Sequence, residues 1–318
     1  GGRRCFGRGY ETSVERSGLG ATSPLRYYAM AYLLALLAAG FYGAADFTGG
    51  IATRRAAALP VVFISQAVGL VLVAVAIPLL PAATPSRADL WWGALAGVTG
   101  GIGVALLYRA LAIGTMSVVA PVTAVIAVAL PVLTSIALGE RPGLLAIVGI
   151  LLGILSIVLV SRSPSPEEPA PSAARGRGGQ GVRTSGIGTA FLAGIGVGLF
   201  LLTLAQTHPE AGLWPLLTDR IASVAFFGIV IAVTRASPRL PANPTALALG
   251  GGALDMTANA LYLLAVRIGP FSPVVTLCSL YPASTVLLAR AVLKERLSLW
   301  QAAGVACALI AVVLIVSG

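Results

Sequence analysis

The sequence predicts an all-α integral membrane protein in which ten transmembrane helices form two inverted five-helix repeats. Three observations carry that expectation. Of 318 residues, 57% are apolar and 10% charged, with a mean hydropathy of +0.93, a composition outside the range of soluble domains. The apolar residues fall into ten runs, five on each side of one polar linker. The two sets of five also match one another at a constant offset.

Taken in order, residues 1–29 are polar and rich in Gly and Arg. They read as a disordered tail upstream of Met30, which is a candidate for the true start. Apolar runs then follow at 31–52, 60–80, 91–112, 118–138, 144–161, 186–206, 213–234, 245–266, 272–291 and 297–317. Crossing a hydrocarbon core takes roughly 20 residues of helix, so several runs are short for the task. Pro60, Pro81, Pro142, Pro241, Pro244 and the charged turn Glu140-Arg141 mark boundaries between them. All four tryptophans, Trp91, Trp92, Trp214 and Trp300, stand near run ends, where amphipathic rings sit at the membrane interface.

The net charge of +10 resides mainly in tails and turns. That placement carries orientation rather than a phosphate footprint, so no nucleic-acid partner is expected. Cys278 and Cys307 lie in apolar runs and Cys5 in the tail, a pattern that is neither a disulfide framework nor a metal cluster.

The linker over 162–185 has the proline, glycine and charge content of a flexible connector. It separates a first repeat at 30–161 from a second at 186–318. A constant offset places Ala110 on Ala265, Gly114 on Gly269, Ser117 on Ser272, Leu138-x-Glu140-Arg141 on Leu293-x-Glu295-Arg296, and Gly149 on Gly304. Five spans is an odd number, so the second copy enters the membrane from the opposite face. Inverted pairs of this kind enclose a site near the midplane and expose it to each side in turn.

The same residues resemble the drug/metabolite transporter superfamily and, within it, the EamA-type transporters. In the first half the resemblance rests on Ala110-Leu111, Ala120-Pro121, Pro131, Leu138-Gly139-Glu140-Arg141, Gly149 and Gly153. In the second it rests on Ser279-Leu280-Tyr281-Pro282, Leu293-Lys294-Glu295-Arg296, Gln301 and Gly304. It implies a multi-pass transporter of the cell membrane that exports a small metabolite or drug-like solute by alternating access. The partners implied are that solute and the lipid bilayer, in a monomer or a homodimer. Both termini would be cytosolic by this resemblance, whereas the distribution of arginines prefers the reverse orientation. Relatives often carry an arginine early in helices two and seven; Arg220 matches the second, and Gln66 stands at the first.

Only Asp46, Asp219 and Asp255 are acidic residues well inside apolar runs. A charge there costs about 2.5 to 3.5 kcal/mol on insertion scales, so each needs a partner, a proton or a wet cavity. Asp46, four residues after Tyr42, is the candidate coupling carboxylate, with protons as the coupling ion. The rival reading is an ion pair that fastens helices, of Asp46 or Asp219 with Arg220. Asp219 and Arg220 are adjacent and are not expected to meet face to face.

Asp255, Asn259 and Tyr262 share one face of helix eight, which is expected to line the solute path, with Tyr281 a further contact. At the repeat offset these positions become Gly100, Val104 and Leu107, so the stripe exists in one half only. Such a lining suits an amphipathic, small neutral or zwitterionic solute. Structural roles are assigned to Arg220, Glu140, Arg141, Glu295, Arg296, Gly97 and Gly252, the glycines by close helix packing. Pro121 and Pro131 in helix four and Pro282 in helix nine are expected kink sites.

Two alternatives stand beside transport: an intramembrane enzyme, and a non-transporting sensor or assembly partner. His208 is the one histidine, so an H-E-x-x-H zinc site is excluded. It reads as a solvated turn residue. No phosphate-binding loop is present, so neither ATP nor another cofactor is expected.

Overall fold

The computed structural model describes residues 24–80, 82–137, 143–161, 186–269, 274 and 277–317. Among them are ten helices of twelve residues or more and no strand. The first five are α1 (Pro24–Arg55), α2 (Ala58–Ala76), α3 (Arg87–Ile113), α4 (Met116–Ala137) and α5 (Leu144–Ser161). The second five are α6 (Ile187–Leu204), α7 (Trp214–Thr234), α8 (Ala242–Ile268), α9 (Tyr281–Val292) and α10 (Leu299–Ser317). By length and composition α1, α2, α3, α6, α7 and α8 can each cross a membrane, and α4, α5 and α10 hold shorter apolar stretches.

Several elements differ from the sequence expectation. α1 begins at Pro24, inside the segment read as tail, and runs for 32 residues. α3 and α8 have 27 residues each, longer than their apolar runs; polar turns continue both helices, and a Ser86–Asp89 capping box starts α3. The ninth run is interrupted: Ser279 and Leu280 form a turn, and α9 proper has 12 residues. Pro282 therefore lies in the first turn of α9, where its missing N–H removes no helical bond, and is not the interior kink expected. Pro121 and Pro131 do sit inside α4. Glu140 and Arg141 lie outside the described residues.

Packing between helices carries the two-fold relation of the repeats. α1 lies along α8 as α6 lies along α3; α2 meets α8 as α7 meets α3; α4 meets α6 as α9 meets α1. The pairs α2 with α7, α4 with α9 and α5 with α10 join equivalent helices, whereas α1 with α3 and α4 with α10 have no mate of similar extent. The paired contacts named first are exchanged with one another when the repeats are exchanged, and with five spans per repeat that symmetry is an inversion across the membrane.

Small residues permit the close approaches. A Cβ at Gly97 would lie 2.0 Å from the Asp219 carbonyl oxygen, and one at Gly252 would lie 2.4 Å from that of Ser65. These two glycines are equivalent in the repeat, so α3 on α7 and α8 on α2 use one device twice. The corresponding pairs α4–α6 and α9–α1 each hold an interhelical hydrogen bond, from positions that are not equivalent: Thr123 Oγ1 donates to Ala190 O at 3.2 Å, and Thr285 Oγ1 to Gly43 O at 3.3 Å. The outer surface is apolar, with Val75, Trp91, Leu144, Val233, Leu287 and Leu299 among its exposed side chains, as a lipid-facing surface requires.

Candidate functional site

Where α2, α7 and α8 meet, Arg220 is 6% exposed. Its Nη2 donates to Asp255 Oδ2 at 2.6 Å, and its Nη1 donates to Gln66 Oε1. Nε lies 3.3 Å from Asp219 Oδ2, an ionic contact without hydrogen-bond alignment. Gly69 makes room for the guanidinium: a Cβ there would stand 3.2 Å from Arg220 Nε.

This cluster revises the expected pairing. The partner of Arg220 is Asp255, supplemented by Asp219, and adjacency in sequence does not prevent that contact because a long flexible side chain folds back along its own helix. Gln66, at the position where the resemblance implies an arginine, accepts from Arg220. A second arginine there would have repelled it.

Asn259 donates from Nδ2 to Asp255 O at 2.8 Å and to Asp255 Oδ2 at 3.4 Å. Asn259 is buried and braces the aspartate, while Asp255 and Tyr262 are half-buried. On α1, Tyr42 meets Tyr281 of α9 edge to face, with ring centroids 6.2 Å apart and planes at 62°. Asp46 is half-buried and within electrostatic range of Asp255. Among the described residues it has no hydrogen bond or ion pair. Tyr42, Tyr262 and Tyr281 all lie within electrostatic range of Cys278, so the candidates from α1, α8 and α9 gather in one region between the repeats.

Glu295 is reached by a backbone detour: Lys294, after α9, has φ 55°, a left-handed conformation uncommon for a residue with a side chain. The Glu295 carboxylate then accepts from the backbone N–H of Met116 and of Ser117, both at 3.0 Å, and from Ser117 Oγ at 2.8 Å. It thus caps α4 of the other repeat, an arrangement worth about 0.5 to 2 kcal/mol. Arg296 is exposed.

His208 is not a free solvated residue. Its backbone N–H donates to Asp89 Oδ1 at 2.8 Å, and its ring Nδ1 donates to the same oxygen at 2.9 Å. Asp89 also forms a capping box with Ser86 at the start of α3. The Ser-x-x-Asp spacing was a readable signal for the cap; the His208 contact, between a loop of one repeat and a helix start of the other, had none. Across the membrane Arg55 Nη1 donates to Asn243 Oδ1, so each repeat's first turn is tied to the start of the other's third helix. A groove of about 450 Å³ beside Leu59, Leu106 and Arg109 lies apart from the central cluster.

Ten helices in an inverted duplication, with a charged cluster buried between the halves, define a multi-pass membrane protein of the drug/metabolite transporter type. The family model described as "EamA-like transporter family" matches residues 29–162 and again 184–317, and the chain belongs to that family. Members are transporters rather than enzymes, which implies a small-molecule solute and a lipid surround. A solved chain described only as "Crystal structure of protein" is 14% identical with a TM-score of 0.59, covering 90% of this chain and 96% of that one. That likeness concerns the fold alone. The comparison with curated proteins returns no match.

Proposed function

We propose that this protein exports a small amphipathic metabolite or drug-like solute across the cell membrane by alternating access, driven by protons rather than ATP. The observation that carries the reading is an inequality between equivalent helix pairs. α1 packs along the C-terminal half of α3, whereas α6 and α8, related to them by the repeat, share no comparable contact. A two-fold structure with one such pair closed and its mate apart is what a carrier facing one side requires, and exchange of the two arrangements would carry the site to the other side.

In this reading the polar end of the solute meets Asp46, Asp255, Tyr262, Tyr42 and Tyr281. Its apolar body lies toward the half that lacks the stripe. Asn259 acts through Asp255. The carrier works as a monomer or homodimer, with repeats at 30–161 and 186–318 as its functional halves. Purified protein in proteoliposomes, offered a panel of amphipathic metabolites with and without an imposed proton gradient, tests the reading. Gradient-driven accumulation of some solutes supports it, and no flux above empty vesicles for any solute would overturn it.

A further inference from the structure

We propose that Arg54 and Glu295 form the latch of the closed end, and that the opposite end lacks the cation half of it. The inference concerns the gate of the carrier proposed above and rests on that reading. Arg54, in the last turn of α1, donates from Nε to Leu111 O at 3.4 Å and from Nη2 to Gly114 O at 3.3 Å. These carbonyls end α3, where a cation is favoured by the helix dipole and by unsatisfied acceptors. The same Nη2 lies 3.4 Å from Glu295 Oε1. One guanidinium and one carboxylate therefore join α1, the end of α3, the start of α4 and the α9–α10 connection.

Backbone packing closes the same corner. A Cβ at Gly49 would lie 2.1 Å from the Tyr108 ring, and one at Gly50 would lie 2.8 Å from Met116 and 2.9 Å from Leu111. At the repeat offset, Gly49, Gly50 and Arg54 become Leu204, Ala205 and Pro209. The end of α6 and the turn after it thus carry neither a glycine pair nor a cation at these positions; the glycines of α6, Gly194, Gly196 and Gly198, lie earlier and face α4 and α3. The two ends are chemically unlike, and the structure is closed at the end that has the latch. Glu295 keeps its cap on α4 when that end opens; the contact that breaks is the one to Arg54.

Cys278, buried beside the tyrosines at the centre, is a native reporter of opening. The experiment uses the full chain in proteoliposomes, with Cys5 and Cys307 replaced by serine. A membrane-impermeant maleimide is applied from each side in turn, and the Arg54 face is identified in parallel by labelling Ser237→Cys. Arg54→Gln should raise the rate of Cys278 labelling from the Arg54 face by about threefold or more, the range expected for one partly exposed ion pair and its carbonyl contacts. Arg54→Lys should restore most of the original rate.

Glu295→Gln should raise the rate from the same face by less than Arg54→Gln, because Arg54 keeps its contacts to Leu111 O and Gly114 O and the cap on α4 is common to both states. Should it fail to fold, the two Arg54 variants suffice. Unchanged labelling in Arg54→Gln, or an equal rise from both faces, overturns the latch. Labelling needs no solute, so loss of the latch and loss of the transport reading are separate outcomes: a one-sided rise in protein that shows no flux would retain the first and remove the second.

Discussion

Asp46 is a carboxylate between two repeats with no hydrogen bond or ion pair among the described residues, and in the proposed carrier it is the coupling group. Asp46→Asn should insert and accumulate normally, since no ion pair is lost, but flux in proteoliposomes should no longer depend on the proton gradient. A full gradient response in that variant would make Asp46 structural. Arg220 is the opposite case. Arg220→Leu leaves Asp255 and Asp219 buried without their cation, a loss of about 3 to 5 kcal/mol for a buried pair broken on one side. Its abundance and melting temperature in detergent should fall sharply, and adding Asp255→Asn should recover part of both.

The central residues were legible as a set because any charge within an apolar run must be answered. Which of them pair was not legible, because that depends on how three helices are rotated about their axes. The sequence singles out Asp46 or Asp219 as partner to Arg220; the structure gives it Asp255 at 2.6 Å as well as Asp219 at 3.3 Å, and leaves Asp46 apart. His208 was misread for a similar reason, its partner Asp89 belonging to the first turn of α3 in the other repeat.

At the scale of elements, ten helices could be counted from apolar runs, and the repeated glycines correctly marked close packing. Gly97→Ala and Gly252→Ala should each destabilise the protein, since each new methyl meets a backbone carbonyl that cannot step aside. Gly250→Ala is the control: a Cβ there has nothing within 4 Å, and its melting temperature should stay unchanged or rise slightly from helix propensity. The break before α9 escaped the sequence because Pro282 reads equally as an interior kink or as a first-turn residue. The Glu295 motif was visible as a repeat marker, but its purpose, capping a helix in the other half, is a contact between segments far apart in the chain.

At the scale of the whole molecule, inversion places the α2–α3 connection and the α7–α8 connection on opposite faces. Single cysteines at Ala82 and Ser237, both exposed, should therefore label from opposite sides of sealed vesicles. Labelling of both from one side would refute the inverted arrangement. The result also fixes which face is cytosolic, where the arginine distribution and the family resemblance disagree.

The interleaving of the repeats bears on how the chain is made. α1 finds its most extensive packing on α8, and α3 on α6, so the first five helices leave the ribosome with their main docking partners still unsynthesised. Until the second half is inserted, the backbone grooves at Gly97 and the carboxylate of Asp46 face lipid or a chaperone. Biogenesis is thus a waiting problem rather than a stepwise one. Cells given the first half alone should degrade it, whereas both halves translated as separate chains, cut within 162–185, should protect one another.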